Sequence, residues 1–147
     1  MEGKQTIMIC TENLDIGGVE TVVCNQAIYL QKQGYRVVVL AKEGRNKPKL
    51  EEQGITIIEF EFPLENAYNI SKAQELVQIA KEYQVSQIHV HKLPCVTVLL
   101  PAFLLSGIPY VAYVHVSIDG IYEWYQNCYP IYKEAFPMFY THAEKIV

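Results

Sequence analysis

The sequence predicts an α/β fold: a Rossmann-like, doubly wound parallel sheet with helices on both faces. Three observations carry that prediction. Apolar runs of strand length recur along the chain, beginning with QTIMIC (Gln5 to Cys10). They read as continuous rather than alternating, which marks strands buried on both faces, as in parallel sheets. Segments with helical spacing lie between them, and such alternation implies βαβ units with right-handed crossovers.

The elements follow in order. After the first strand come Gly17 and Gly18, then Val19, Val22, Val23, Ala27 and Leu30 at helical spacing, with Gly34 ending the helix. YRVVVLA (Tyr35 to Ala41) is the second strand, GRNKPK (Gly44 to Lys49) a polar loop and GITIIEFEF (Gly54 to Phe62) the third strand. Ser71 and Gln74 form a capping-box pattern, and Ala73, Leu76, Val77, Ala80 and Tyr83 give the next helix its apolar face. QIHVH (Gln87 to His91) is a short fourth strand. Pro94 suits the first turn of the following helix, and Pro101 inside it predicts a kink or a split. Gly107 and Pro109 close that helix, so the apolar stretch Leu93 to Val116 reads as buried helix then buried strand rather than a membrane span. YVAYVH (Tyr110 to His115) is the fifth strand. An aromatic segment interrupted by Pro130 and Pro137 follows, and AEKIV (Ala143 to Val147) opens a sixth strand.

The 147 residues fit one domain, and a 50% hydrophobic share is enough for a real core. A net charge of -4 argues against a nucleic-acid partner, which needs a basic stripe. Four scattered cysteines, Cys10, Cys24, Cys95 and Cys128, form no CxxC and suggest a reducing, cytoplasmic setting. The N-terminus has no apolar run typical of a signal peptide.

Ligands of doubly wound sheets bind at the carboxyl ends of the strands, near the switch point. A strand order of 3-2-1-4-5 brings three features together there: Gly17-Gly18, His91 and His115. On its own the glycine pair is best read as a turn needing positive φ, although bare backbone also admits an anion. Glu20 in the first turn already offsets the helix dipole. The G-x-G-x-x-G fingerprint and the P-loop pattern are both absent, which disfavours nicotinamide and nucleoside-triphosphate sites. His89 and His91 share a strand face and with His115 could in principle hold zinc, but no acidic or thiol ligand stands beside them in sequence. His89 reads as a hydrogen-bonded core histidine. His115, at a strand end, is the better functional candidate. His142 reads as a surface residue and Glu43 as a solvated loop carboxylate. The rings between Tyr122 and Tyr140 divide between core packing and an interface with another domain or a platform for sugar or lipid.

Taken together, these segments resemble the N-terminal half of group 1 (family 4) retaining glycosyltransferases, enzymes of GT-B architecture. The resemblance lies in GGVETVVCNQAIYLQKQGYRVVVLA, VSQIHVHK, LLSGIPYVAYVH and AEKIV, which follow the family's order over nearly the whole chain. It implies that residues 1–147 are the acceptor-side, Rossmann-like domain and that a C-terminal donor-binding domain is absent. It implies transfer of a sugar from a nucleotide-sugar donor to an acceptor with retention, with no metal and no other cofactor, in cell-surface polysaccharide synthesis. His115 would be the catalytic-centre residue at the donor sugar. Gly17 and Gly18 would face the donor diphosphate, and Glu20, His91 and Ser117 are candidates for the acceptor side. The usual Asp before the fourth strand is replaced here by Ser86 or Gln87, and Val116-Ser117 replaces the usual residues after the strand-five histidine.

Further expectations follow. The isolated domain should be inactive and should self-associate, and contact with the inner face of a membrane stays open. Two other readings stand beside this one: a binding module of the same fold, and a nicotinamide-dependent domain.

Overall fold

The computed structural model describes residues 5–15, 18–115 and 118–147 (the backbone alone for 118–121). Six parallel strands form one sheet in the order β3-β2-β1-β4-β5-β6. They are β1 (Thr6–Asn13), β2 (Arg36–Lys42), β3 (Thr56–Glu59), β4 (Val85–Val90), β5 (Tyr110–Ala112) and β6 (Lys145–Ile146). The expected 3-2-1-4-5 order is present, and the switch point lies between β1 and β4. Backbone pairing continues past β5, with Tyr113 N–H donating to the Val90 carbonyl at 2.9 Å and Val114 N–H to the Val147 carbonyl at 2.8 Å.

Side chains alternate across each strand, so the sheet sorts its apolar residues into two cores. Ile7, Ile9, Val37, Val39 and Ala41 face α1 (Gly18–Lys32) and α2 (Lys47–Glu52) and pack on Val23, Cys24, Ala27 and Leu50. Met8, Cys10, Val38, Leu40, Ile88, Val90 and Ala112 face the other way. They pack on α3 (Ile70–Glu82), α4 (Val96–Ser106) and α6 (Tyr132–His142), joined by Tyr122 of α5 (Ile118–Cys128). Each fully buried aliphatic or aromatic side chain contributes about 1.5–3 kcal/mol.

Local chemistry explains where the elements depart from expectation. Val22 is 45% exposed, and the inward face of α1 is instead Glu20, Val23, Cys24 and Ala27. Part of the expected polar loop is the short helix α2, which starts around Pro48 and buries Leu50. The cap of α3 lies two residues before the capping-box serine. Asn69 has an extended backbone and its Oδ1 accepts the Lys72 N–H at 2.9 Å. Pro94 sits in a 3₁₀ turn (Leu93–Cys95) ahead of α4, and Pro101 does not split that helix. A proline at 101 deprives the Thr97 carbonyl of its helical donor. The Asn69 N–H supplies one at 3.0 Å, so the start of α3 is tied to α4 by the bond the proline left open. Pro130 separates α5 from α6, whereas Pro137 lies within α6. Gly34 and Gly107 adopt the positive φ expected of helix-ending glycines, +100° and +70°.

Most of the aromatic run is core. Tyr132, Phe136 and Phe139 are buried, and the Tyr110 ring stacks on Phe139 at 4.8 Å while its hydroxyl donates to the Phe139 carbonyl. Trp124 is half exposed.

Candidate functional site

The carboxyl ends of β1, β4 and β5 meet beside the first turn of α1. β1 leads into Leu14 and Asp15, and a second loop clamps this one from the side. Asn46 N–H donates to the Leu14 carbonyl at 3.0 Å and Asn46 Nδ2 to the Asp15 carbonyl at 3.1 Å. Gly44 lies flat against the same segment, where a Cβ would come within 2.2 Å of the Leu14 carbonyl carbon. The close approach here therefore requires a glycine at position 44. Gly18 differs. It begins α1 without positive φ, and a Cβ there would meet nothing within 4 Å among the described residues. The turn explanation does not hold for Gly18, while Gly17 and Ser117 lie outside the described residues.

On the α1 face of β4 and its neighbour, period-two alternation aligns His89 and His91 with Tyr113 and His115. Their rings stack: His91 on Tyr113 at 4.2 Å and His91 on His115 at 5.1 Å. Gln26, reaching in from α1, ties the group together. Its Nε2 donates to Tyr113 Oη at 2.6 Å and lies 3.1 Å from His89 Nδ1, while its Oε1 lies 2.7 Å from His91 Nε2. His91 Nδ1 is 2.8 Å from His115 Nε2, and His89 Nε2 is 2.8 Å from Gln87 Oε1.

Burial keeps these imidazoles neutral at pH 7. His89 is lowered to about 4 by burial alone. His91 is lowered to about 3 by burial, reinforced by the His115 and His89 rings. His115 is lowered by burial and by Lys92, with Glu20 opposing. Lys92 Nζ lies 3.5 Å from the Glu20 carboxylate, so the first turn of α1 carries an ion pair beside His115.

A cavity of about 150 Å³ opens here, walled by Val19, His91, Lys92, Tyr113, His115 and Tyr125 among others. A larger apolar one of about 370 Å³ adjoins it, sharing Val114 and Tyr122 and bounded by Phe136, Pro137, Tyr140 and Ile146. Among the described residues no cluster of His, Cys, Asp and Glu could hold a metal ion, because the three histidines bond to one another and to amides instead of converging. Cys10, Cys24 and Cys95 are buried, and burial pushes the Cys10 and Cys95 thiols up, away from nucleophilic use.

A sequence profile of Glycosyltransferase Family 4 matches residues 16–147. The chain belongs to glycosyltransferase family 4. Solved structures agree on the fold. A glycosyltransferase from Rickettsia africae ESF-5 superposes with a TM-score of 0.66 at 18% identity, over 85% of this chain and 34% of that one. Anabaena Alr3699/HepE, crystallised with UDP and glucose, gives 0.70 at 18% identity, over 95% and 37%. Acinetobacter baumannii MurG gives 0.61 at 16% identity, over 97% and 40%. The chain thus spans well under half the length of these three. An NAD(P)-binding domain of an exopolyphosphatase-related protein from Archaeoglobus fulgidus shares the fold at 0.56 and 15% identity, over 98% of this chain and 86% of that one. No curated protein matches. The family-4 fold is therefore the expected Rossmann-like half of a GT-B arrangement.

Among the sequence candidates, His91, His115 and Glu20 come together with Gly18 nearby, and His91 is almost fully buried. His89 is the hydrogen-bonded core residue expected of it. Glu43 pairs with Lys47 at 2.7 Å on the surface. Sequence reasoning passed over Gln26, Tyr113 and Lys92. Tyr113 lies two residues before His115, on the same side of an extended segment, and that spacing was the available signal. Among the described residues, no helix is long and apolar enough to cross a membrane.

Proposed function

We propose that this chain is the acceptor-side half of a retaining glycosyltransferase that takes its sugar from a nucleoside-diphosphate donor. Residues 1–147 would work against a second, donor-binding domain. The observation that carries the reading is the cavity shared by Val19 in the first turn of α1 and by His91, Lys92 and His115 at the strand ends. Gly18 opens that turn, and among the described residues no atom lies within 4 Å of where a Cβ would stand. A donor diphosphate gains negative charge as its sugar leaves, and backbone at a helix start together with Lys92 suits that charge. His115 then faces the donor sugar, with Glu20, His91 and Ser117 toward the acceptor. The chemistry asks for no metal, because fixed dipoles and Lys92 meet the charge. The UDP and glucose held by the Anabaena neighbour support a UDP-sugar as the first donor to try. Buried free thiols support a cytoplasmic setting. A cell-surface glycan acceptor, met at the inner membrane face, fits the apolar cavity adjoining the polar one. A nicotinamide reading has only the shared fold behind it.

The test supplies the donor-binding half, fused or added, and measures transfer from UDP-sugars with and without EDTA. The chain alone should not turn over. The joined protein should, with EDTA having no effect, and His115→Ala should lower kcat about 100-fold or more, the scale of losing one transition-state contact. A robust rate from residues 1–147 alone, or an unchanged rate in His115→Ala, would sink the reading.

A further inference from the structure

We infer that Gln26 and His91 are positioning residues that hold His115 as its Nε2–H tautomer, leaving a lone pair on Nδ1 for a substrate hydroxyl. The direction of each hydrogen bond follows from groups that can only donate or only accept. Gln87 Nε2 lies 3.5 Å from a Glu144 carboxylate oxygen, which can only accept. The Gln87 amide is thereby oriented, and its Oε1 faces His89 Nε2, which must carry the proton. His89 is neutral, so its Nδ1 is a lone pair and needs a donor. Tyr113 Oη at 2.8 Å and Gln26 Nε2 at 3.1 Å supply one. A flipped Gln26 would set its oxygen against that lone pair. Gln26 Oε1 therefore faces His91 Nε2, which is the protonated nitrogen of a neutral ring. His91 Nδ1 is then a lone pair, and the His115 Nε2–H donates to it at 2.8 Å. The remaining nitrogen, His115 Nδ1, has no hydrogen-bond partner among the described residues, and His115 lines the cavity.

This rests on the proposed transferase reading only for its use: a ring presented this way accepts a hydrogen bond from a sugar hydroxyl instead of donating one to a sugar oxygen. Such orientation of a histidine by its second nitrogen is a general device. Gln26 acts through His91 and touches no reacting atom, so its effect must be read on the ring itself. The experiment is a long-range ¹H–¹⁵N correlation spectrum of the imidazoles in this chain at pH 7.5, for the wild type and for Gln26→Leu.

The expected wild-type result is protonated Nε2 on His89, His91 and His115. In Gln26→Leu, His91 Nε2–H loses its acceptor. A buried orphan N–H costs more than an orphan lone pair, so the proton moves to Nδ1 and the His91–His115 bond reverses. His115 should then show a protonated Nδ1, while His89, still held by Gln87 and Tyr113, stays unchanged. A wild-type His115 protonated on Nδ1 would overturn the inference, even if the variant fails to fold. So would a folded Gln26→Leu in which His115 keeps its Nε2–H. Neither reading depends on catalysis, so a joined two-domain protein that transfers no sugar would refute the proposed function and leave the tautomer result standing.

Discussion

Gly44→Ala should be among the more damaging single-methyl changes in the protein, although Gly44 lies in a polar loop. The added Cβ would stand 2.2 Å from the Leu14 carbonyl carbon, 2.4 Å from the Asp15 nitrogen and 2.6 Å from the Leu14 oxygen. All three are backbone atoms, so no side chain can swing aside. Reaching ordinary contact requires a shift of about 1 Å between the two loops, the kind of overpacking that costs about 1–3 kcal/mol. That shift also stretches the two hydrogen bonds from Asn46 to Leu14 and Asp15, each worth about 1 kcal/mol. A loss of about 3 kcal/mol is expected. At about 3 °C per kcal/mol for a domain of this size, Tm should fall by about 9 °C. Thermal melts followed by circular dichroism measure it, and amide shifts of Leu14, Asp15 and Asn46 locate it. Gly18→Ala is the control: its methyl meets nothing among the described residues, and alanine favours helix by up to about 1 kcal/mol, so Tm should hold or rise. Equal melting temperatures for wild type and Gly44→Ala, with the loop amides unmoved, would refute the packing argument.

Two further outcomes are expected. The folded state holds His89 and His91 below their ordinary value of 6.5, at about 4 and about 3, so the unfolded chain binds more protons as pH falls. Their contribution to stability is complete above about pH 6.5 and is lost as pH drops toward the folded values. The loss amounts to a few kcal/mol by about pH 4.5. Urea titrations between pH 7.5 and 4.5 should show that slope, and His91→Gln should flatten it; equal slopes would remove the histidines from the account. Second, the chain should self-associate at high concentration, because β6 forms a short edge with Ile146 and Val147 more than half exposed and Trp124 is half exposed on α5. A light-scattering mass equal to one chain at high concentration would count against this.

What the sequence disclosed and what it hid divide along a physical line. Continuous apolar runs announce strands buried on both faces, so β1, β2, β4 and β5 could be read directly, and the alternation with helices implied parallel βαβ units, while the order of the strands is set by the fold. Elements whose stability comes from one residue were hidden. α2 rests on Leu50 alone, and a lone leucine among Lys, Pro and Glu carries no period. Asn69 was hidden by its neighbours, since Ser71 offers the same chemistry and only the extended backbone at 69 decides between them. Pro101 does not split α4, because a donor from another element satisfies the carbonyl it orphans, a contact that no rule drawn from a helix alone includes. The candidate site followed the same division. His91 and His115 could be found from their place at strand ends. Gln26 could not, since a glutamine on a helix looks like a solvent-facing residue until that helix is laid over β4.

The glycines at this end of the sheet show how a fold and a site can make separate demands on one residue type. Gly44 is required by backbone meeting backbone, a contact between segments thirty residues apart that no local pattern announces. Gly18 is required by nothing described in the chain, neither by φ nor by a neighbouring atom. The clamp from Gly44 and Asn46 fixes the path of the β1 loop as it leaves the sheet. Backbone at the start of α1, close to Lys92 and His115, suits an anion. If the proposed function is right, Gly18→Ala should therefore spare stability and weaken donor binding, and Gly44→Ala should damage both. A Gly18→Ala protein that binds donor as tightly as wild type would show that the open space is only surface.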